Sequence, residues 1–90
     1  MKGMNIEQAP VGINVVVELS DTVFIGRLRK EQGNKVEMHH AAVHEVVAGE
    51  DPENYIRAAA RYGVPVEHEQ LLFEAKEVQR VRRLGEVPKA

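Results

Sequence analysis

Residues 13–29 read INVVVELSDTVFIGRLR, and this stretch decides the fold. Apolar residues alternate with other residues over Ile13–Leu19, which predicts a strand with one apolar face. The turn-forming Ser20–Thr22 follows, and Val23–Arg29 resumes the apolar pattern as a second strand. Gly26 lies inside that second strand, where a glycine usually marks a bulge or a sharp bend. The stretch therefore predicts a tight hairpin with a strongly bent second strand.

Three further strands are predicted outside this hairpin. A turn over Lys30–Asn34 leads into a third strand over Lys35–His40, so the first three strands form an antiparallel meander. Later in the chain, Gln70–Ala75 and Val78–Leu84 give two more short strands. We therefore expect a mainly β protein of five strands, with a frayed tail over residues 85–90.

One helix is predicted between the third and fourth strands, within residues 51–63. Asp51 suits the N-cap, Pro52 suits the first helical position, and Gly63 suits a left-handed C-terminal residue. These signals predict a helix over Pro52–Tyr62. Its apolar stripe makes it either a cap on the sheet or a docking helix for a partner protein. The partner-binding residues in that second case are Tyr55, Ile56 and Tyr62.

Composition sets broad limits on the protein. Its 90 residues are enough for one domain, and 12 basic against 14 acidic residues give a formal charge of −2. Histone-like polycations and charged disordered arms are thereby excluded. The chain has no cysteine, which excludes a disulfide framework and fits a reducing compartment. No apolar run is long enough for a membrane span, and we expect a cytoplasmic protein without membrane partners.

The meander carries a resemblance to a known family. The pattern of a glycine, alternating apolar residues, a hairpin turn and a second strand with glycine and leucine two apart is similar to the first motif of the Sm/LSm family. The matching residues are Gly12, Val15, Val17, Leu19, Asp21, Gly26 and Leu28. Asn34 stands near the asparagine of that family, and Leu72–Val81 resembles its last two strands. The resemblance covers about residues 10–47 and 70–84.

This resemblance implies both a fold and an assembly. The fold is a small, five-stranded, strongly bent antiparallel barrel of the Sm-like or SH3-like type, spanning residues 1–90, with one α-helix inserted between strands three and four. Sm-like proteins close into rings by pairing strand four of one subunit with strand five of the next, which implies a homo-oligomeric ring of five to seven copies. Val16, Ile25 and Val43 also exceed what one small interior should hold, so we expect association to cover them.

Nucleic-acid binding is the first of two functional hypotheses. The resemblance implies that the ring binds RNA or single-stranded nucleic acid, here weakly and through basic residues. The family's Arg-Gly pair aligns with Ala75-Lys76 in this chain, which departs from the uridine-pocket pattern. The densest basic cluster is at the C-terminal end, and a second basic group surrounds the first hairpin at Arg27, Arg29, Lys30 and Lys35. The predicted nucleic-acid-binding residues are Asn34, Lys35, Lys76, Arg80 and Arg82.

The second hypothesis is a non-enzymatic, homo-oligomeric scaffold whose inserted helix docks a protein partner. No motif in the chain supports catalysis: there is one serine, one threonine and no glycine-rich phosphate loop. His39 and His40 should point to opposite faces of a strand, so they cannot share a metal ion, and His44 joins them only if the chain turns helical there. We therefore expect no enzyme activity, cofactor or metal. A pH-sensitive interface is a further use of these histidines.

Overall fold

Five strands and one α-helix follow each other in the computed structural model, which describes residues 9–88, without the side chains of residues 30–32. The elements are β1 (Asn14–Glu18), β2 (Thr22–Gln32), β3 (Lys35–Glu45), α1 (Pro52–Tyr62), β4 (His68–Glu74) and β5 (Arg80–Arg83). Short 3₁₀ turns follow β4 at Ala75–Glu77 and β5 at Leu84–Glu86. The mainly β class and the position of the helix between the third and fourth strands are confirmed.

All five strands belong to one antiparallel sheet in the order β4-β3-β2-β1-β5. The meander β1-β2-β3 forms its centre, as predicted, while β4 and β5 are its two edge strands. Strand β3 continues to Glu45, five residues beyond its predicted end at His40. His40 has a φ of 52°, and the strand resumes after this irregular residue.

Gly26 lies opposite a bulge, but the extra residue belongs to β3 and not to the second strand, where the sequence pattern placed the irregularity. Ile25 pairs with Ala42 and Arg27 pairs with His39, so two residues of β3 lie opposite Gly26. The backbone strands approach so closely here that a Cβ atom on Gly26 would lie 2.9 Å from the carbonyl oxygen of His39. A glycine is therefore needed at this position.

The two faces of the sheet bury two separate apolar clusters. The first cluster fills the face away from the helix and includes Phe24 and Phe73, whose ring centroids lie 5.0 Å apart. The second lies between the sheet and α1. Its buried members are Val16, Val23, Ile25, Ile56, Ala59, Leu84 and Val87.

The second cluster corrects the prediction that association must cover surplus apolar residues. Val16 and Ile25 are fully buried beneath α1, and Val43 packs against the first cluster. The helix thus supplies the cover that was expected from other subunits. The prediction of a frayed tail over residues 85–90 is also wrong for its first residues, because Val87 is buried against the same cluster. Residues 89–90 lie outside the described part of the chain.

Helix α1 begins and ends where its sequence signals predict. The Asp51 carboxylate accepts a hydrogen bond from the backbone N–H of Glu53 at 3.0 Å, and Pro52 opens the first turn. At the other end, the N–H of Gly63 donates to the carbonyl of Ala59 at 2.9 Å. Among residues 9–88, no helix has the length and apolar character needed to cross a membrane.

Candidate functional site

The predicted nucleic-acid residues Asn34, Lys35 and Lys76 come together at one end of the sheet. The backbone N–H of Ala75 donates a hydrogen bond to the carbonyl of Asn34 at 2.8 Å. This bond joins the turn between β2 and β3 to the turn between β4 and β5, although some 40 residues separate them in the chain. We call Asn34–Lys35 together with Ala75–Glu77 the loop pair.

The charges in the loop pair are partly compensated. The Lys35 ammonium lies 2.6 Å from the carboxylate of Glu74, its cross-strand partner. The hydrogen bond from Lys35 holds the pKa of Glu74 below its usual value. The positive charge of Lys76 lowers the same pKa more weakly. Lys76 also lines an open cleft of about 460 Å³ beside the turn between β1 and β2. The other described residues that line this cleft are Leu19, Ser20, Asp21, Glu77 and Gln79.

Arg80 and Arg82, which are also predicted to bind nucleic acid, form ion pairs within the chain. Arg80 donates two hydrogen bonds to the carboxylate of Glu18, at 2.7 and 3.0 Å. Arg82 donates to Glu53 on the helix at 2.8 and 2.9 Å and to Glu18 at 3.2 Å. The negative charges of two carboxylates thus compensate the positive charges of two guanidinium groups. We call these four residues the helix clamp, because they tie the first turn of α1 to β1 and β5.

Electrostatics of the helix clamp follow from this geometry. The hydrogen bonds from Arg82 hold the pKa of Glu53 below its usual value, against a smaller opposing effect of burial. The same bonds raise the pKa of Arg82. A guanidinium with two carboxylate partners offers little net charge to a phosphate, so Arg80 and Arg82 are poor nucleic-acid contacts in this arrangement.

The three predicted partner-binding residues of α1 have different surroundings. Ile56 is fully buried against the sheet, so its prediction as a docking residue is wrong: the apolar stripe of the helix covers the chain's own core. Tyr55 is half-buried, and its ring stacks on His44 with centroids 4.2 Å apart. Burial raises the pKa of Tyr55. Tyr62 is 78% exposed and remains available to a partner.

The histidines of β3 are spread over separate contacts. His39 is hydrogen-bonded to Glu37, and His44 is hydrogen-bonded to Glu50. Glu50 also accepts a bond from the N–H of Val47, which is the main cause of its lowered pKa. Within the described residues, no three His, Asp or Glu side chains are placed to share a metal ion.

A second cleft combines residues that were not predicted as a site. It is open, has a volume of about 440 Å³, and lies beside the β3 bulge. The described residues that line it are Asn14, Arg27, His40, Val64 and Val66. Arg27 is visible in the sequence as part of a basic group, and Gly26 signals the bulge. The pairing of Asn14 with Arg27 and the approach of the segment after α1 depend on the tertiary fold.

Comparison with protein-family models and with curated proteins found no match to this chain.

Proposed function

We propose that this chain is an Sm-like, SH3-like barrel protein that assembles into a ring and binds RNA or single-stranded nucleic acid weakly at the loop pair. The observation that carries the proposal is the Ala75–Asn34 hydrogen bond. It sets an asparagine and two lysines from distant parts of the chain at one end of the sheet, next to open solvent. The strand order and the register shift opposite Gly26 are compatible with such a barrel.

Assembly through the sheet edges is the first part of the proposal. In the part of the chain that the structure describes, β4 and β5 each pair with one strand, which leaves one side of each strand open. Open edges are templates for pairing with another chain. Pairing β4 of one copy with β5 of the next would satisfy both edges, and repetition of this contact would close a homo-oligomeric ring of five to seven copies.

Repetition of the basic residues around the ring is the second part of the proposal. A ring brings one loop pair per subunit to the same face, so Lys35 and Lys76 recur around it. A local positive rim attracts phosphates even where the subunit carries a formal charge of −2. Because Lys35 shares its charge with Glu74, we expect weak, salt-sensitive binding without strong base preference. The absence of cysteine fits a reducing compartment, and we propose a cytoplasmic location.

Lys76→Ala tests the binding site directly. Removal of one phosphate contact should weaken binding of a fluorescent single-stranded RNA and lower the slope of log K against log salt by about one. Fluorescence anisotropy across a salt series measures both quantities. Arg57→Ala is the matched control, because it removes the same charge from the exposed face of α1. Equal losses in both variants, or salt-independent binding, would contradict a site at the loop pair.

A homo-oligomeric, non-enzymatic scaffold is the second candidate function. Two observations favour it: Arg80 and Arg82 are committed to the helix clamp, and Tyr62 is an exposed aromatic at the end of α1. Native mass spectrometry at low salt separates the candidates. A closed oligomer that carries nuclease-sensitive mass supports nucleic-acid binding, a clean oligomer supports the scaffold, and a monomer contradicts both.

A further inference from the structure

The cleft beside the β3 bulge gathers polar groups from three segments of the fold. Asn14 of β1 and Arg27 of β2 are direct cross-strand partners, which places their side chains on one face of the sheet at short range. Arg27 pairs on its other side with His39, and His40 is the next residue of β3. Val64 and Val66, which follow α1, complete the described lining.

Arg27 differs from the arginines of the helix clamp. Arg80 and Arg82 are bonded to carboxylates, and Arg83 lies 3.3 Å from Glu86. For Arg27, no carboxylate within the described residues lies at ion-pair distance, although it lines a concave surface. Arginine presents a planar fork of donors that matches the two oxygens of a carboxylate.

His40 contributes the third polar side chain of this cleft. Its φ of 52° is in the left-handed region, which residues other than glycine adopt uncommonly, and asparagine, aspartate and histidine more often than the rest. The bulge around Gly26 imposes this conformation and adds an imidazole to the cleft that holds Arg27.

The remaining residues that line the cleft are apolar, which indicates that the rest of the ligand is apolar too. Val64 is partly buried and packs against the core under α1, whereas Val66 is half exposed. Small-molecule sites commonly combine an apolar wall with a few convergent polar groups, and this open cleft has both. Arg27 is the one permanently charged residue in the described lining, which matches a ligand with a single negative charge.

We propose that this cleft binds a small monocarboxylate with an apolar body. The carboxylate accepts hydrogen bonds from the Arg27 guanidinium, with Asn14 and His40 as further polar contacts, and the apolar body lies against Val64 and Val66. This site shares no residue with the loop pair and does not depend on nucleic-acid binding.

Titration of the ¹⁵N-labelled full chain with 3-methylbutanoate tests the proposal by NMR at constant ionic strength. We expect saturable shifts centred on Asn14, Arg27 and His40, with weak affinity because the probe has few atoms. The alcohol 3-methylbutan-1-ol, which has the same carbon skeleton without the charge, should bind at least about tenfold more weakly. Inorganic phosphate is the second comparison, since it carries more charge and no apolar body.

Substitutions in the cleft test whether 3-methylbutanoate binds there. Arg27→Gln should weaken 3-methylbutanoate binding about tenfold, whereas Arg29→Gln, two residues along the same strand and outside the described lining, should leave it unchanged. His40→Asn keeps a residue that tolerates the left-handed conformation and should also weaken binding. Amide spectra of each variant report whether the fold is retained.

Three results would overturn the proposal. One is a lack of saturable shifts at the cleft, and another is equal weakening by Arg27→Gln and Arg29→Gln. The third is tighter binding of phosphate than of 3-methylbutanoate.

Discussion

Gly26 shows how one residue constrains the whole sheet. A methyl group there would lie 2.9 Å from the His39 carbonyl oxygen and equally close to the Met38 side chain, so the bulge has no room for it. We predict that Gly26→Ala lowers the free energy of unfolding by about 1–3 kcal/mol, the usual cost of an overpacked interior. Urea denaturation monitored by circular dichroism measures the change.

The matched control for Gly26 is Gly85→Ala. No atom lies within 4 Å of a Cβ built at Gly85, and its φ is outside the left-handed region. That variant should change stability by no more than about 0.5 kcal/mol. If both alanine variants unfold at the same urea concentration as the parent chain, the close approach at the bulge does not limit stability.

Single residues also show what the sequence can and cannot reveal. Gly26 could be predicted as a bend because glycine in a strand has few other reasons to be there. The left-handed His40 could not, because its conformation results from the two-against-one pairing across Gly26. For the same reason, the cleft at Arg27 and His40 was missed: its residues come from segments that meet only after the sheet and the helix have packed.

At the scale of elements, the attachment of α1 depends on the helix clamp as well as on apolar burial. The folded-state pKa of Glu53 lies below its ordinary value of 4.5, mainly because Arg82 donates to it. Ionised Glu53 therefore stabilises the fold above about pH 4.5, and this stabilisation is lost as the pH falls through the lower folded-state pKa. The clamp should weaken in acid and be complete at neutral pH.

We predict that Glu53→Gln lowers the free energy of unfolding by about 1–2 kcal/mol at pH 7, between the values for exposed and buried ion pairs. This deficit should shrink as both proteins are unfolded at successively lower pH below 4.5. Glu86→Gln, which breaks the exposed pair with Arg83, is the control and should cost at most about 0.5 kcal/mol. A deficit for Glu53→Gln that is constant across this pH range would contradict the linkage.

The helix itself was predictable, but its contacts were not. Asp51 and Pro52 fulfil their predicted roles, and Gly63 ends the helix as predicted, with a positive φ of 105° but a ψ of 160°, outside the left-handed helical region. Which neighbour receives the apolar stripe is decided by packing, and the stripe covers Val16 and Ile25 of the same chain. Arg80 and Arg82 illustrate the same limit, because a basic cluster in the sequence does not show the carboxylates that the fold places beside it.

At the scale of the molecule, β4 and β5 are the two edge strands of the sheet, where another chain could pair. Leu72 lies on the edge strand β4 and is 59% exposed, so a strand that paired with β4 would pack beside it. Natural edge strands use lysine to prevent pairing with other chains. We therefore predict that Leu72→Lys shifts the protein toward monomers while its far-UV circular dichroism and thermal unfolding midpoint stay close to those of the parent.

Val47→Lys separates edge pairing from a general effect of surface charge. Val47 is 65% exposed, but it lies in the loop after β3 and not on either edge strand. The two variants add the same charge and remove apolar side chains of similar exposure, so sedimentation-velocity profiles at several protein concentrations can be compared directly. If β4 forms the subunit contact, only Leu72→Lys lowers the sedimentation coefficient. If both variants stay assembled, or both dissociate alike, the contact lies elsewhere and β4 is a free edge in solution.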